Sequence, residues 1–442
     1  MSRKIFLTFL AVISAVNSQS NPCNASSTTV ETQADLDILS VCSILTGDLI
    51  LGTNLVTADI NGIRTIQGDL VAANAFDLQR ITAPDLAHIG GDFNLTSLTI
   101  LSHVNIDSLD YAAGLHWRNL PSLTRLEPFY SKLTHSSRFS ITDTGLQSFY
   151  GPNFTTAENV QFRNNKNLLG IVVNFHNTSG SLAFIDNPLA FIRLPELVLV
   201  KNATFRSNSG MELPKLTTVT GSVEFSGNGF ETLIIPKLQT IGAGDDPDTE
   251  ETFSGNLTIV DNKNATTIKM LQLTEIFGNL QFVGNSVENV DGFPLLLDVH
   301  GSIDARGNFS KITFPSMRDI RGDFNIQTNA EFDCSDDVDR LAGGIVKGGY
   351  FCKGATSRGG SKPTPVGAVV GGTVGGLLVI AAVAGFLFYR RRKVKSRKAG
   401  LAGVTVGNSN QLGGIEIVKT PKKAYNVVGG VDAANGAGGI KT

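Results

Sequence analysis

The chain has 442 residues, with 37 Lys plus Arg against 39 Asp plus Glu. This near-neutral balance, with much of the positive charge gathered beyond residue 389, leaves no basic footprint for a nucleic acid. Four cysteines and six histidines lack the tight mixed spacing of a zinc site, so no metal and no other cofactor is expected.

Arg3 and Lys4 precede an apolar run from Ile5 to Val16, and small residues at Val16 and Ser18 suit a signal peptidase. Residues 1–20 therefore read as a secretory signal peptide, too short to span a bilayer, with the mature chain starting near Gln19 or Asn21.

Residues 21–355 read as one ectodomain. Its cysteines form two close pairs at opposite ends, Cys23 with Cys42 and Cys334 with Cys352. Four cysteines allow three connectivities, and the pairing in sequence favours two local bridges in an oxidising compartment. Between the first pair, Thr29 to Leu39 predicts a short amphipathic helix with Leu36 and Leu39 inward.

A phrase then recurs, written Gly, any, apolar, any, apolar, any, any, Asn. It runs from Gly47, Gly180, Gly221, Gly255, Gly278, Gly301 and Gly322 to Asn54, Asn187, Asn228, Asn262, Asn285, Asn308 and Asn329. Copies without the glycine end at Asn165 and Asn208, and shortened ones lie at Gly68 to Asn74 and Gly114 to Asn119. The steps from Asn187 to Asn329 are 21, 20, 34, 23, 23 and 21 residues, a period that marks a solenoid. The alternating apolar pair makes each phrase a short strand with one buried face, and Pro195, Pro236 and Pro315 mark bends in the return path. At the strand-to-bend turn a short amide both donates and accepts. The asparagines at 54, 165, 187, 208, 228, 262, 285, 308 and 329 are therefore predicted to form an inward structural ladder rather than a sugar site.

Eight glycosylation sequons, at Asn24, Asn94, Asn153, Asn177, Asn202, Asn256, Asn264 and Asn308, all lie in this region. Outward strand positions are mixed (Glu224, Gln281, Asp304, Asn325), and no histidine shares a motif with a serine or cysteine, so no catalytic constellation is expected. The longest step carries an acidic insertion, Gly242 to Ser254, read as a solvated loop suited to partner contact. Ser335, Asp336 and Asp337 read as the start of a capping helix at the far end.

Residues 356–365 form a linker, and residues 366–389 are uncharged and long enough to cross a bilayer as a helix. Arg390, Arg391, Arg392 and Lys393 follow as a stop-transfer signal, which places the ectodomain outside the plasma membrane in a single-pass type I topology. Gly367, Gly371, Gly372, Gly375 and Gly376 give small-residue spacings suited to a homodimer of spans. Residues 390–442 read as a disordered, basic, glycine-rich cytoplasmic tail.

Across residues 21–355 the chain resembles the receptor L-domain family, and within it fungal cell-wall organisation proteins that are usually GPI-anchored and related to sporulation-specific wall proteins. The resemblance is carried by Cys23, Ala34-Asp35-Leu36, Leu39, Cys42, Thr46-Gly47-Asp48-Leu49, the glycine-to-asparagine coils and Tyr350-Phe351-Cys352. It implies a mainly β fold, a right-handed leucine-rich-repeat-like parallel solenoid with capped ends, and a role in wall integrity without catalytic residues. The span and tail depart from the family's GPI terminus. Wall polysaccharide or wall glycoproteins are the expected partners. The rival readings are a sensor or adhesion receptor for wall glycan or protein, and a glycan-active β-helix enzyme.

Overall fold

The computed structural model describes residues 21–355 except 127–131, 154, 243, 246–251, 254 and 335–337. The leader, linker, span and tail read from the sequence lie outside the described residues. Among the described residues no helix is long and apolar enough to cross a membrane.

The chain winds into a parallel β-solenoid, in which one 25-stranded sheet runs through the coils. Each coil adds a strand in register with the one before. Val223↔Leu257, Leu257↔Leu280, Leu280↔Ile303 and Ile303↔Phe324 form one such column. A short strand precedes the main strand in most coils. Small parallel sheets, such as Thr57–Asp59 with Arg80–Thr82 and His103–Asn105, form on the return side. Two coils run almost without interruption, as strands Asn177–Arg193 and Leu199–Glu212. Where all three sides pair with the next coil, nothing ends the strand.

The alternation in each phrase decides which side chains enter the core. Phe162, Phe184, Phe205 and Phe225 occupy one inward column with centroids 5.3–5.6 Å apart and nearly parallel rings. Their full burial contributes roughly 1.5–3 kcal/mol each, and only neighbouring coils can supply it. The buried residues form one continuous apolar cluster from Val30 to Leu341.

The turn after most main strands holds a left-handed residue. Asn74, Ser97, Asn119, Asp143, Asn164, Asp186, Ser207 and Asp261 hold φ of 53–57°, and Gly227 and Gly284 take the same place. Asn, Asp and Gly tolerate this region best, which explains a composition at this position that the repeat phrase leaves unspecified.

Both ends are pinned by disulfides, Cys23–Cys42 and Cys334–Cys352. Ser27–Val30 is a strand that starts the sheet, so the N-terminal helix is shorter than the sequence predicts and spans Gln33–Leu39. Thr32 caps it reciprocally with Asp35, and Leu36 and Leu39 are buried. At the other end a helix of one turn, Asp339–Ala342, follows Val338 without a side-chain cap. The expected start at Ser335–Asp337 lies outside the described residues. The acidic insertion contains a short antiparallel pair, Gly244–Asp245 with Thr252–Phe253.

Candidate functional site

Six of the nine predicted ladder residues, Asn165, Asn187, Asn208, Asn228, Asn262 and Asn285, are buried in consecutive coils. Their geometry accounts for the residue type. The Oδ1 of Asn228 accepts from the backbone N–H and the Nδ2 of Asn208, at 3.1 and 3.2 Å. Its own Nδ2 donates to the carbonyl of Phe205 at 2.9 Å and to Oδ1 of Asn262 at 3.1 Å. A buried amide with this many partners is committed to architecture, since leaving any of them unpaired costs about 1–3 kcal/mol.

Asn54, Asn308 and Asn329 do not join the ladder. All three are exposed. Asn54 instead donates to the carboxylate of Glu31, and in the following coils the corresponding turn is filled by buried Ala75, Leu98 and Leu120. Thr144 takes the first polar rung, its N–H and hydroxyl both donating to Oδ1 of Asn165. At the far end Thr328 is buried in place of Asn329 and donates to the carbonyl of Phe309.

A second polar ladder follows the glycine of the phrase and is missed by the sequence reading. Oδ1 of Asp48 accepts from the N–H of Asp69, and Oδ1 of Asp69 from that of Asp92, at 2.8 and 2.7 Å. The same bond joins Asn202 to Ser222, Asn256 to Asn279, Asn279 to Ser302 and Asp323 to Gly349. It also explains the recurrent glycine. A Cβ on Gly221, Gly278 or Gly301 would lie 2.4–2.6 Å from the ladder oxygen of the preceding coil.

The outer faces carry dispersed polar groups. Along the main strands the outward residues read Glu224, Thr258, Gln281, Asp304 and Asn325, in register. Glu224 is held by Arg206 at 2.8 Å, and Asp304 pairs with Arg306. Asp92 pairs with Arg138 at 2.7 Å and lies 3.3 Å from Nε2 of His116. The hydrogen bond that Arg138 donates to Asp92, aided by the carboxylate's charge, holds its guanidinium above its ordinary range. Lys215, donating at 2.6 Å, holds Glu196 below the usual carboxylate range. These four carboxylates, Asp92, Glu196, Glu224 and Asp304, each face a cation, and among the described residues no group of His, Cys, Asp and Glu could hold a metal.

Among the sequons, Asn24, Asn177, Asn202, Asn264 and Asn308 are exposed and Asn94 and Asn256 are half-buried, whereas the side chain of Asn153 lies outside the described residues. Asn202 and Asn256 are also rungs of the second ladder through Oδ1. A glycan attaches through Nδ2 and so leaves that bond in place.

Comparison with known proteins finds relatives of this chain among fungal surface proteins. No family model and no solved structure matches the chain. The chain is 28% identical to protein ecm33 of Aspergillus fumigatus over 344 residues, covering 76% of this chain and 83% of that one. It is 28% identical over 329 residues to a cell surface GPI-anchored protein of Arthroderma benhamiae, covering 74% and 81%. It is 31% identical over 317 residues to sporulation-specific protein 22 of Saccharomyces cerevisiae, covering 69% and 65%. The relatives of this solenoid are thus fungal cell-surface and cell-wall proteins.

Proposed function

We propose that the chain is a non-catalytic surface glycoprotein that contributes to cell-wall organisation through a stiff, capped, right-handed solenoid of the receptor L-domain type. The observation that carries this reading is the pair of internal ladders. They commit six of the recurrent asparagines, and the glycines beside the second ladder, to holding coils in register and leave outer faces of dispersed polar groups. The names of the relatives point the same way, with cell wall proteins among them. The uncharged stretch 366–389 and the basic run after it anchor the solenoid in the plasma membrane, facing the wall.

Deleting the gene and scoring sensitivity to wall-directed drugs tests the role. Restoration by a chain lacking Arg390–Thr442 but still retained at the membrane supports a structural part. Strict dependence on that tail would instead favour a signalling receptor. The anchor is read separately, because a spanning helix keeps the protein on the cell after phosphatidylinositol-specific phospholipase C, whereas a GPI anchor releases it.

A further inference from the structure

The short-strand column pairs coil to coil along the stack: Leu45↔Ile66, Ile66↔Ile89, Tyr111↔His88, Tyr111↔His135, Ala157↔Thr178 and onward to Ile320↔Val346. Among the described residues one step is missing. Nothing pairs His135–Ser136 with Thr156–Ala157, although the main strands of the same coils pair normally through Arg138↔Asn159.

A cleft of about 200 Å³ sits at this break. Its origin lies in the inward residues of the column. Elsewhere these are bulky, such as Ile66, Ile89, Val200, Val219 and Ile241, but across the break they are Ala112, Ser136 and Ala157, all buried. Small side chains remove the filling that would otherwise close the coils together.

The lining suits one ligand chemistry. Hydroxyls come from Thr134, Ser136, Ser137, Thr155 and Thr156, and no Asp, Glu, Lys or Arg is among the lining residues. One wall bears an aromatic column. Tyr111 stacks on His88 at 4.3 Å, and the spacing to His135 opens to 6.1 Å with the rings 30° apart. The Thr134 hydroxyl bonds Nδ1 of His135 at 2.8 Å and so orients that ring. A concave site of hydroxyl oxygens and amphipathic rings, with no charge, matches a neutral polyhydroxylated unit better than a peptide terminus or a phosphate.

We propose that this cleft is a saccharide subsite that takes a neutral hexose unit of a wall glycan. The assignment rests on the wall-facing role argued above.

The full chain, purified in detergent, is titrated with two neutral probes of four to six units, a β-linked gluco-oligosaccharide and a manno-oligosaccharide, and binding is read by calorimetry. The two arms separate glucan from mannan as the source. Ser136→Val supplies the bulk that this column carries elsewhere, as at Ile66 and Ile89, and Thr156→Arg places a large side chain at the exposed rim. We expect the parent to bind at least one probe and at least one folded variant to bind it tenfold more weakly or worse. Unchanged affinity in both folded variants, or a parent that binds neither probe at millimolar concentration, overturns the cleft. Drug sensitivity of the deletion strain carrying the parent gene is scored alongside. Normal rescue without sugar binding sinks the cleft alone, and failed rescue with binding sinks the wall role alone.

Discussion

Nδ2 of Asn228 donates to Oδ1 of Asn262 at 3.1 Å across 34 residues of chain, the same bond that joins Asn208 to Asn228 across 20. Register is therefore set in space by the amides, and the length of the intervening path does not enter. Asn228→Leu should cost about 3–5 kcal/mol by orphaning several buried partners, whereas Asn54→Leu, at an exposed position, should stay within about 0.5 kcal/mol. Denaturant midpoints of the two variants check the contrast. Equal losses would mean that burial of the amide does not matter.

The glycine of the phrase is needed for close approach. Gly278→Ala brings a Cβ to 2.6 Å from Asn256 Oδ1 and 2.7 Å from the carbonyl of Gly255. It should destabilise by about 1–3 kcal/mol, as overpacking does. Gly170→Ala meets nothing within 4 Å and should be neutral or stabilising by up to about 1 kcal/mol. Thermal midpoints should move in opposite directions, or only the first should move.

Asp35 supplies a pH dependence. Hydrogen bonds from the Thr32 hydroxyl, the Thr32 N–H and the Glu31 N–H hold its carboxyl below the ordinary range. Its contribution is therefore complete above the unfolded value of about 3.9. It is lost as the pH falls through the lower folded value. Asp35→Asn should lower stability at neutral pH and converge with the parent at acid pH, which flattens the acid limb of the stability curve. An identical acid limb in parent and variant would count against this.

Each disulfide closes a loop of about 20 residues, with separations of 19 and 18. Replacing Cys334 and Cys352 together by serine should cost about 3 kcal/mol. Loss should begin at the C-terminal coils, because a solenoid is stabilised through nearest neighbours. Hydrogen exchange by mass spectrometry would show whether protection falls first around Phe324–Thr328.

Much of this was legible in the sequence. The period, the alternation within Val223–Phe225 and Leu280–Phe282, and the paired cysteines are local patterns with one packing solution. The ladder was legible only where Asn is followed by another coil of the same turn. Asn54, Asn308 and Asn329 fit the phrase yet are exposed, Asn54 because the next coil offers buried Ala75 and Asn329 because Thr328 is buried in its place, and nothing in the phrase distinguishes them. The second ladder was hidden because Asp, Asn and Ser share its acceptor role, so no single letter repeats. The break beside His135 was hidden too, since a missing pairing depends on the bulk of Ala112, Ser136 and Ala157 taken together across coils.

The antiparallel pair Gly244–Asp245 with Thr252–Phe253 lies in a detour that leaves the stack after Ile241, and the chain is back in step at Leu257. New sequence can thus be hung on this bend while the coils on either side keep their register, whereas lengthening the rod itself demands whole turns. Growth by duplication of complete coils and ornament by side hairpins are the two routes open to a molecule so built.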